Sequence, residues 1–382
     1  MLLIVALLVV AAPERARLPA DVSLAGIMEL TRQGEVALLP KHNQQPFNAL
    51  IVTRSSGSCD MVADKMMDVA GWTKVWNISE VEVIQKSPGR VSYQLQPDMI
   101  LAPRIPGVIE RPRPNTVIFN DTETGARFIW TLEPFLEAGG TVSCAMRYSM
   151  LETPGEQSGW VAAINTLEAS AVDAANFGAG LSSARGFATI GARPPMSAAA
   201  ESAFQALAGH GTAIRIVRST EAIVTRRVID TAIDEVLWAV RDKRRWADKV
   251  KVLAKVTDRG QTAAYTVAAF GGRVSWKTSV METGDAHTAA GLTLTESVTG
   301  GDLDKGQWIW RLRPAPGGTD VELTWDMDVS EGSAIMRTLA RTDPIARQSF
   351  SLHLALSLMG NIIGGQPVGG RALASTAERA AP

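Results

Sequence analysis

Short stretches of alternating apolar and polar residues recur along most of the chain, and this period of two is typical of strands with one buried face. Turn signals separate the stretches, for example Ser87-Pro88-Gly89 and Asp258-Arg259-Gly260. Many strands joined by short turns predict an antiparallel sheet. The predicted strands are Val81–Ile84, Val91–Leu95, Thr116–Phe119 and Phe128–Leu132 in the first half, and Val250–Val256, Ala263–Ala269, Val274–Met281, Gly291–Ser297 and Gln307–Leu312 in the second.

Helical spacing of apolar residues appears before and after these strands. A short helix is predicted ahead of Trp246, and longer helices over Trp160–Leu181 and Ala334–Ile363. The last helix is apolar almost all round, so it should be sandwiched between other elements or face a cavity. The helix faces consist of Ile229, Ile233, Val236, Leu237 and Val240 in the short helix and of Leu352, Leu356, Met359 and Ile363 in the last one.

The two halves of the chain repeat each other. The pattern Ile-Trp-x-Leu-x-Pro occurs at Ile129–Pro134 and again at Ile309–Pro314, each time followed by Gly-Gly-Thr. Several matches in the same order, at nearly one spacing, indicate a tandem duplication. The further matches are Ile51–Arg54 with Ile223–Arg226, Trp72 with Trp246, Leu30 with Leu207 and Gly34 with Gly211.

In each half, a helical segment leading to Trp72 or Trp246 is followed by the Ile-Trp-x-Leu-x-Pro strand, the Gly-Gly-Thr hairpin and a long final helix. This order resembles the START-like (SRPBCC) superfamily over roughly residues 26–186 and 203–364. The resemblance implies an α+β fold of two tandem helix-grip domains, each a curved antiparallel sheet wrapped around a long C-terminal helix with a cavity between them. The predicted division is a signal-like leader (1–25), domain 1 (26–190), a linker (191–202), domain 2 (203–364) and a disordered tail (365–382).

A cavity of this kind has mostly apolar walls with a few polar groups. In the strand after the first Gly-Gly-Thr, Met146 and Tyr148 share one face and Arg147 points to the other. When the two Gly-Gly-Thr turns are aligned, Met146 and Tyr148 correspond to Thr324 and Asp326 of the second repeat. The apolar faces of the two strands then match only if one strand has a bulge. The candidate ligand-binding residues are Tyr148, Arg147, Met146, Trp130, Trp310, Trp325, Met327, Leu356 and Met359, with an ordinary core role as the alternative for the apolar ones.

Two further segments stand out. Pro103–Pro114 holds four prolines and three arginines, which excludes a central strand and favours either a lid or docking loop, or a rigid surface connection. Arg241–Lys251 has six basic and two acidic residues, which suits contact with anionic lipid headgroups or an acidic partner, or a solvated helix end. His353, on the apolar last helix, is expected to be a hydrogen-bonded core residue.

Composition narrows the classes of function. With 46% hydrophobic and 20% charged residues the chain is globular, and a net charge of −1 argues against nucleic acid as a partner.

The apolar run Met1–Ala12 is shorter than the about 20 residues of a membrane span and suits a secretory signal. No Lys or Arg precedes it, so a short anchor or a fragment start is the alternative. Cys59 and Cys144 form a disulfide if the protein is exported, or remain packed thiols.

The sequence contains no recognisable nucleophile–base pair, phosphate-binding glycine loop or metal-ligand spacing, so it predicts no catalytic residue, metal or cofactor. The leading hypothesis is non-catalytic binding or transfer of a hydrophobic, lipid- or sterol-like small molecule, with a membrane surface as a possible partner. Such a protein is expected to be exported, to the periplasm or outside the cell, or membrane-associated. The alternatives are a cytoplasmic enzyme of the polyketide cyclase/aromatase type and a ligand-free interaction protein. The sequence does not predict the oligomeric state.

Overall fold

The structure, a computed structural model, describes most of both repeats. The helices in this part of the chain are α1 (Leu24–Leu30), α2 (Cys59–Met67), α3 (Ala198–Ala208), α4 (Ile233–Arg241), α5 (Trp246–Lys249) and α6 (Pro344–Ser357), which continues as a π-helical turn over Leu358–Ile362. The described residues are 18–40, 50–74, 78–97, 104–123, 125, 127–137, 139–151, 180–181, 184–188, 196–269, 272–328, 332, 334, 337, 344–365 and 367–368.

Sixteen strands form one antiparallel sheet. The first repeat, called unit one, contributes β1 (Val36–Pro40), β2 (Leu50–Ser56), β3 (Ile78–Ser87), β4 (Arg90–Pro97), β5 (Ile105–Arg113), β6 (Thr116–Asp121), β7 (Arg127–Leu136) and β8 (Val142–Leu151), and the second repeat is called unit two. Unit two contributes β9 (Gly211–Val217), β10 (Ala222–Ile229), β11 (Leu253–Asp258), β12 (Thr262–Ala269), β13 (Gly272–Asp285), β14 (Gly291–Gly301), β15 (Gln307–Ala315) and β16 (Gly318–Asp326).

The strand order shows the duplication directly. It runs β11-β12-β13-β14-β15-β16-β10-β9 and then β1-β2-β8-β7-β6-β5-β4-β3, so each unit has the same order mirrored about the β1–β9 pair. All strands predicted from the alternating pattern lie wholly or largely within observed strands, whereas β1 and β9 were not predicted. Because β1 pairs with β9 over five residues, the units share one sheet.

Opposed residues in antiparallel strands point to the same face, so the register defines an inner face that runs across both units. Each half of this row ends on the tryptophan of the Ile-Trp-x-Leu-x-Pro pattern, which confirms that match. From the β1–β9 boundary the row is Ala37, Ile51, Tyr148 and Trp130 in unit one, and Ile214, Thr225, Leu323 and Trp310 in unit two.

The same row corrects two alignments made from the sequence. Tyr148 corresponds to Leu323 and not to Asp326, because five residues (137–141) separate β7 from β8 whereas only two (316–317) separate β15 from β16. The longer turn shifted the Gly-Gly-Thr alignment by three residues. In the same way Ile51 corresponds to Thr225 and not to Ile223.

Helices cover both faces of the sheet. The inner-face core includes apolar residues of α2, α4 and α6, whereas α1 and α3 pack against Val36, Leu38 and Val52 on the outer face. The closing helix of unit two is confirmed over α6, while the predicted Trp160–Leu181 helix lies outside the described residues apart from its last two positions. No helix among the described residues is long and apolar enough to cross a membrane.

Helices α1 and α3 join the two units on the outer face. A Cβ on Gly26 of α1 would lie 2.6 Å from the Cβ of Ala203 in α3, so the helices cross where only glycine fits. The backbone N–H and hydroxyl of Ser197, the N-cap of α3, donate to the Glu29 carboxylate at 3.0 and 2.6 Å. Helix α3 therefore begins inside the predicted 191–202 linker.

The Pro103–Pro114 segment corrects a further expectation, because most of it forms β5 between β4 and β6. Proline is tolerated in a sheet at the start of a strand or at a bulge. Pro106 is the second residue of β5, and Pro112 lies where the β5–β6 register shifts between Glu110 and Arg113. In unit two, β13 occupies the corresponding place, so the segment has a counterpart after all. At the other end of the chain, Pro367 of the predicted tail forms a β-bridge with Ile229.

Candidate functional site

Aromatic rings crowd the inner face of unit two. Trp276, Trp308 and Trp310 project from β13 and β15, and at most 2% of each residue is exposed. Tyr265 contacts Trp308 edge to face, with ring centroids 5.0 Å apart, and stacks on Trp276 at 5.6 Å. On the other side Trp308 stacks on Trp325 at 5.4 Å. Such ring pairs add stability and also form a flat apolar wall.

Three indole N–H groups of this wall have no hydrogen-bond acceptor in the part of the chain that the structure describes. They belong to Trp276, Trp308 and Trp310, and among the described residues no other tryptophan has this property. By contrast, the N–H of Trp246 donates to the carbonyl of Ala239 at 3.1 Å, and the N–H of Trp325 donates to the carbonyl of Met327 at 3.2 Å. A buried donor without a partner costs about 1–3 kcal/mol, so three on one face need an explanation.

A polar cluster lies within the same wall, centred on Glu296 of β14. Its Oε2 accepts hydrogen bonds from the hydroxyls of Tyr265 at 2.8 Å and Thr278 at 2.9 Å. The Nζ of Lys243 lies 3.1 Å from Oε1, without the alignment of a hydrogen bond, so Oε1 keeps its capacity to accept one. Burial raises the pKa of the Glu296 carboxyl, while the Lys243 ammonium acts in the opposite direction.

Unit one has an apolar counterpart of this cluster. Helices α2 and α4 both end on an aspartate of nearly identical backbone geometry, Asp68 and Asp242, and the next residue is buried Val69 in unit one and buried Lys243 in unit two. Phe119 faces Phe128 across β6–β7, as Glu296 faces Trp308 across β14–β15. Two apolar residues in one copy thus correspond to an ion pair in the other.

The tryptophan that follows is equivalent in both units. Trp72 and Trp246 are buried, as the repeat predicted, and the N–H of each donates to a carbonyl of the preceding helix. The ring of Trp72 contacts Tyr93 at 4.9 Å and that of Trp246 contacts Tyr265 at 6.1 Å. These contacts make Tyr93 and Tyr265 a further matched pair, which the sequence comparison missed.

A cavity of about 530 Å³ lies at the end of unit two; its lining is mostly polar and does not include the tryptophans of the aromatic wall. Its lining includes Gln307 and Asp326, the neighbours of Trp308 and Trp325 along the chain, and Ser351 of α6. The Ser351 hydroxyl and the Trp325 N–H both donate to the carbonyl of Met327, which joins α6 to β16 at this point. The volume is within the range of small-molecule sites.

The structure brings most of the predicted ligand-binding residues together on the inner face. Arg147 is the exception, because it faces the opposite side and pairs with Glu133 at 2.7 Å, away from the candidate site. His353 is buried on α6, which confirms the burial that the sequence predicted but not its hydrogen bonding. The predicted residues in the inner-face core are Met146, Tyr148 and Trp130 of unit one and Trp310, Trp325, Met327, Leu356 and Met359 of unit two.

Sequence reasoning missed the polar members of the site. Lys243 lies within the basic Arg241–Lys251 segment, where its neighbours Arg244 and Arg245 are exposed, so composition alone did not separate it. Lys243 lies three residues before the repeated tryptophan Trp246, at the position where unit one has Val69, and this difference could have marked it as unusual. No sequence feature marked Glu296, since the β14 strand shows no similarity to β6.

Cys59 and Cys144 form a disulfide that ties the first residue of α2 to β8. Cys144 is fully buried in the inner-face core of unit one. Of the two possibilities that the sequence left open, the structure has the bonded pair.

No family model matches the chain, and no curated protein matches it. Among solved structures, the di-domain ARO/CYC StfQ from the steffimycin biosynthetic pathway is similar over 85% of this chain and 99% of its own, at 10% identity and a TM-score of 0.27. A START superfamily protein from Mycobacterium smegmatis is similar over 37% of this chain and 96% of its own, at 12% identity and a TM-score of 0.29.

A STAR-related lipid transfer protein from Xanthomonas axonopodis is similar over 38% of this chain and 92% of its own, at 13% identity and a TM-score of 0.24. At such identities and TM-scores these likenesses carry no argument. The two tandem copies follow from the mirrored strand order of the chain itself, as the repeated sequence pattern predicted.

Proposed function

We propose that unit two binds an apolar small molecule that carries hydrogen-bond acceptors, between α6 and the inner face of the sheet. The observation that carries the proposal is the set of three buried indole N–H groups, on Trp276, Trp308 and Trp310, that have no acceptor among the described residues. Oxygen atoms of a ligand would accept these hydrogen bonds, and its apolar surface would gain about 25 cal/mol per Å² on burial against the rings. Because burial of apolar surface supplies most of the binding free energy, the ligand needs few polar contacts.

The ion pair supports the same proposal from a second direction. Lys243 and Glu296 are 3% and 0% exposed, and Oε1 of Glu296 keeps an unfilled acceptor position. A ligand hydroxyl beside the pair, within reach of both groups, would donate to Oε1 and accept from the ammonium. The proposed ligand is therefore an apolar molecule with scattered oxygen groups, in keeping with a lipid- or sterol-like cargo.

The test is native mass spectrometry of the purified chain, followed by organic extraction and identification of what co-purifies. We expect one small molecule per chain, held by unit two. Removing one indole N–H by Trp310→Phe should lower retention about two- to tenfold, which corresponds to the about 0.5–1.5 kcal/mol of one hydrogen bond. Trp308→Phe and Trp276→Phe should act in the same direction.

Trp325→Phe is the matched control, because the Trp325 N–H already donates to Met327. This change should lower the free energy of unfolding by about 1 kcal/mol and leave retention nearly unchanged. Repeated recovery of empty protein from lipid-rich extracts would overturn the proposal and favour a ligand-free interaction protein. Equal retention by Trp310→Phe and the parent chain would place the ligand elsewhere.

We propose further that the protein is exported or membrane-associated. The Cys59–Cys144 disulfide supports this location, because disulfides persist in oxidising compartments and are rare in the cytosol. Cell fractionation with thiol labelling tests it. Recovery in the cytosolic fraction with both cysteines labelled would contradict export.

A further inference from the structure

One tryptophan of unit two is on the surface. Seven of the eight tryptophans in the described part of the chain are buried, whereas 52% of Trp238 on α4 is exposed. The guanidinium of Arg245 lies 4.6 Å from the centre of its ring. Half of an amphipathic ring is thus presented to solvent beside a cationic side chain.

The residues that follow Trp238 are strongly basic on their exposed side. Five exposed basic residues lie between 241 and 251, against two acidic ones, Asp242 and Asp248. Arg241 pairs with Glu282, and Arg245 pairs with Asp242 at 3.0 Å. The other three, Arg244, Lys249 and Lys251, have no carboxylate partner among the described residues, so their charge is available to an anionic surface.

A cavity of about 440 Å³ opens beside the exposed ring. It lies between α4 and the turn that ends α6, and its lining includes Trp238, Lys249 and the buried residues Val236 and Ile362. Acidic side chains, Asp234 and Glu235, line it from the first turn of α4, one turn away from Trp238. The basic residues therefore lie to one side of the ring, at the C-terminal end of the helix.

Unit one lacks this surface. Its equivalent helix, α2, carries Asp60 and Asp64 on the exposed side, and Arg111 of β5 pairs with both. Counting back from the matched pair Asp68 and Asp242, Asp64 occupies the position of Trp238. The duplication thus supplies an internal comparison: the helix carries two exposed carboxylates paired with Arg111 in unit one, and an exposed tryptophan followed by basic residues in unit two.

We infer that Trp238 of α4 and the segment after this helix, with Arg244, Arg245, Lys249 and Lys251, form a docking surface for an anionic lipid bilayer. An indole at the surface suits the interface between headgroups and acyl chains, where one side of the ring is apolar and the other is wet. Basic side chains beside it add about 1 kcal/mol each to attraction by anionic lipid. The docking surface does not depend on the ligand proposed for the interior.

Vesicle sedimentation tests the inference with the full chain. Vesicles of phosphatidylcholine mixed with phosphatidylglycerol should bind the protein, and vesicles of phosphatidylcholine alone should bind it much more weakly. Added salt should release it, because exposed charges are screened within about 8 Å at physiological ionic strength. Arg244→Glu should weaken binding at least fivefold, the factor that corresponds to the loss of about 1 kcal/mol of attraction per basic residue. Trp238→Ala should weaken it by a similar factor.

Two control variants separate docking from general effects. Lys86→Glu makes the same change of net charge on exposed strand β3 of unit one, and Met61→Ala removes an exposed apolar side chain from α2. Both should bind vesicles as the parent chain does. The inference is overturned if neither vesicle composition binds the protein, or if Lys86→Glu weakens binding as much as Arg244→Glu. Loss of vesicle binding with retained ligand would leave the proposed function standing.

Discussion

The interiors of the two units differ at one pair of positions that share the same backbone frame. In unit one Val69 and Phe119 meet apolar neighbours, whereas in unit two Lys243 and Glu296 form an ion pair held by Tyr265 and Thr278. A buried ion pair is weak evidence for stability, because desolvation offsets much of the attraction between the charges. The difference therefore points to specialisation of unit two and not to a better core.

A second difference accompanies the first. Unit one has Gly107 opposite Tyr93, where the ring leaves no room for a Cβ, since it would lie 2.5 Å from the ring. Unit two has Trp276 opposite Tyr265, one of the indoles without an acceptor. Duplication allows one copy to keep a closed apolar core while the other acquires hydrogen-bond donors and buried charges.

The largest effect is expected from breaking the ion pair on one side. Lys243→Met leaves the Glu296 carboxylate buried without its partner and should lower the free energy of unfolding by about 3–5 kcal/mol. Urea unfolding followed by circular dichroism measures the loss. Lys249→Met, an exposed lysine in the same segment, is the control and should stay within about 0.5 kcal/mol of the parent chain. Equal effects of the two changes would mean that Lys243 is not buried.

The disulfide should stabilise unit one and leave the interior of unit two unaffected. Replacing both Cys59 and Cys144 by Ser removes a link across 85 residues and should cost about 2–5 kcal/mol. The expected result is earlier unfolding in urea with unchanged retention of the co-purifying ligand. Loss of the ligand in the folded variant would assign the binding site to unit one instead.

Converting unit two to the residues of unit one should cost little stability and remove specificity. The double change Lys243→Val with Glu296→Phe replaces the ion pair by apolar side chains, an exchange that is often neutral or stabilising by about 1–4 kcal/mol. We expect a folded protein that no longer prefers a hydroxylated ligand over its methyl ether in a competition assay. Retained preference would show that the ion pair does not contact the ligand.

Period-two patterning and internal repetition were enough to predict many of the strands and the duplication, because these depend on local alternation and on similarity within the chain. The β1–β9 pair that joins the units could not be predicted, since it depends on which strand edges meet in space. The β5 strand was missed because Pro106 and Pro112 break the alternating pattern and become compatible with a sheet only through their positions at a strand start and a bulge. The Glu296 cluster depends on contacts between residues far apart in sequence.

The smallest expected effect is on the pH dependence of stability. Because the pKa of Glu296 is raised in the folded state, the folded protein binds a proton that the unfolded chain has lost at every pH between the unfolded value, about 4.3, and the raised folded value. Stability falls with rising pH wherever the folded state holds the extra proton. The parent chain should therefore lose stability relative to Glu296→Gln as pH rises through this window, and the difference should be constant outside it. Urea unfolding of both proteins across a pH series measures the difference. A difference that grows in favour of the parent chain as pH rises would mean that the attraction of Lys243 outweighs burial, and that Glu296 stays ionised as a fixed charge of the site.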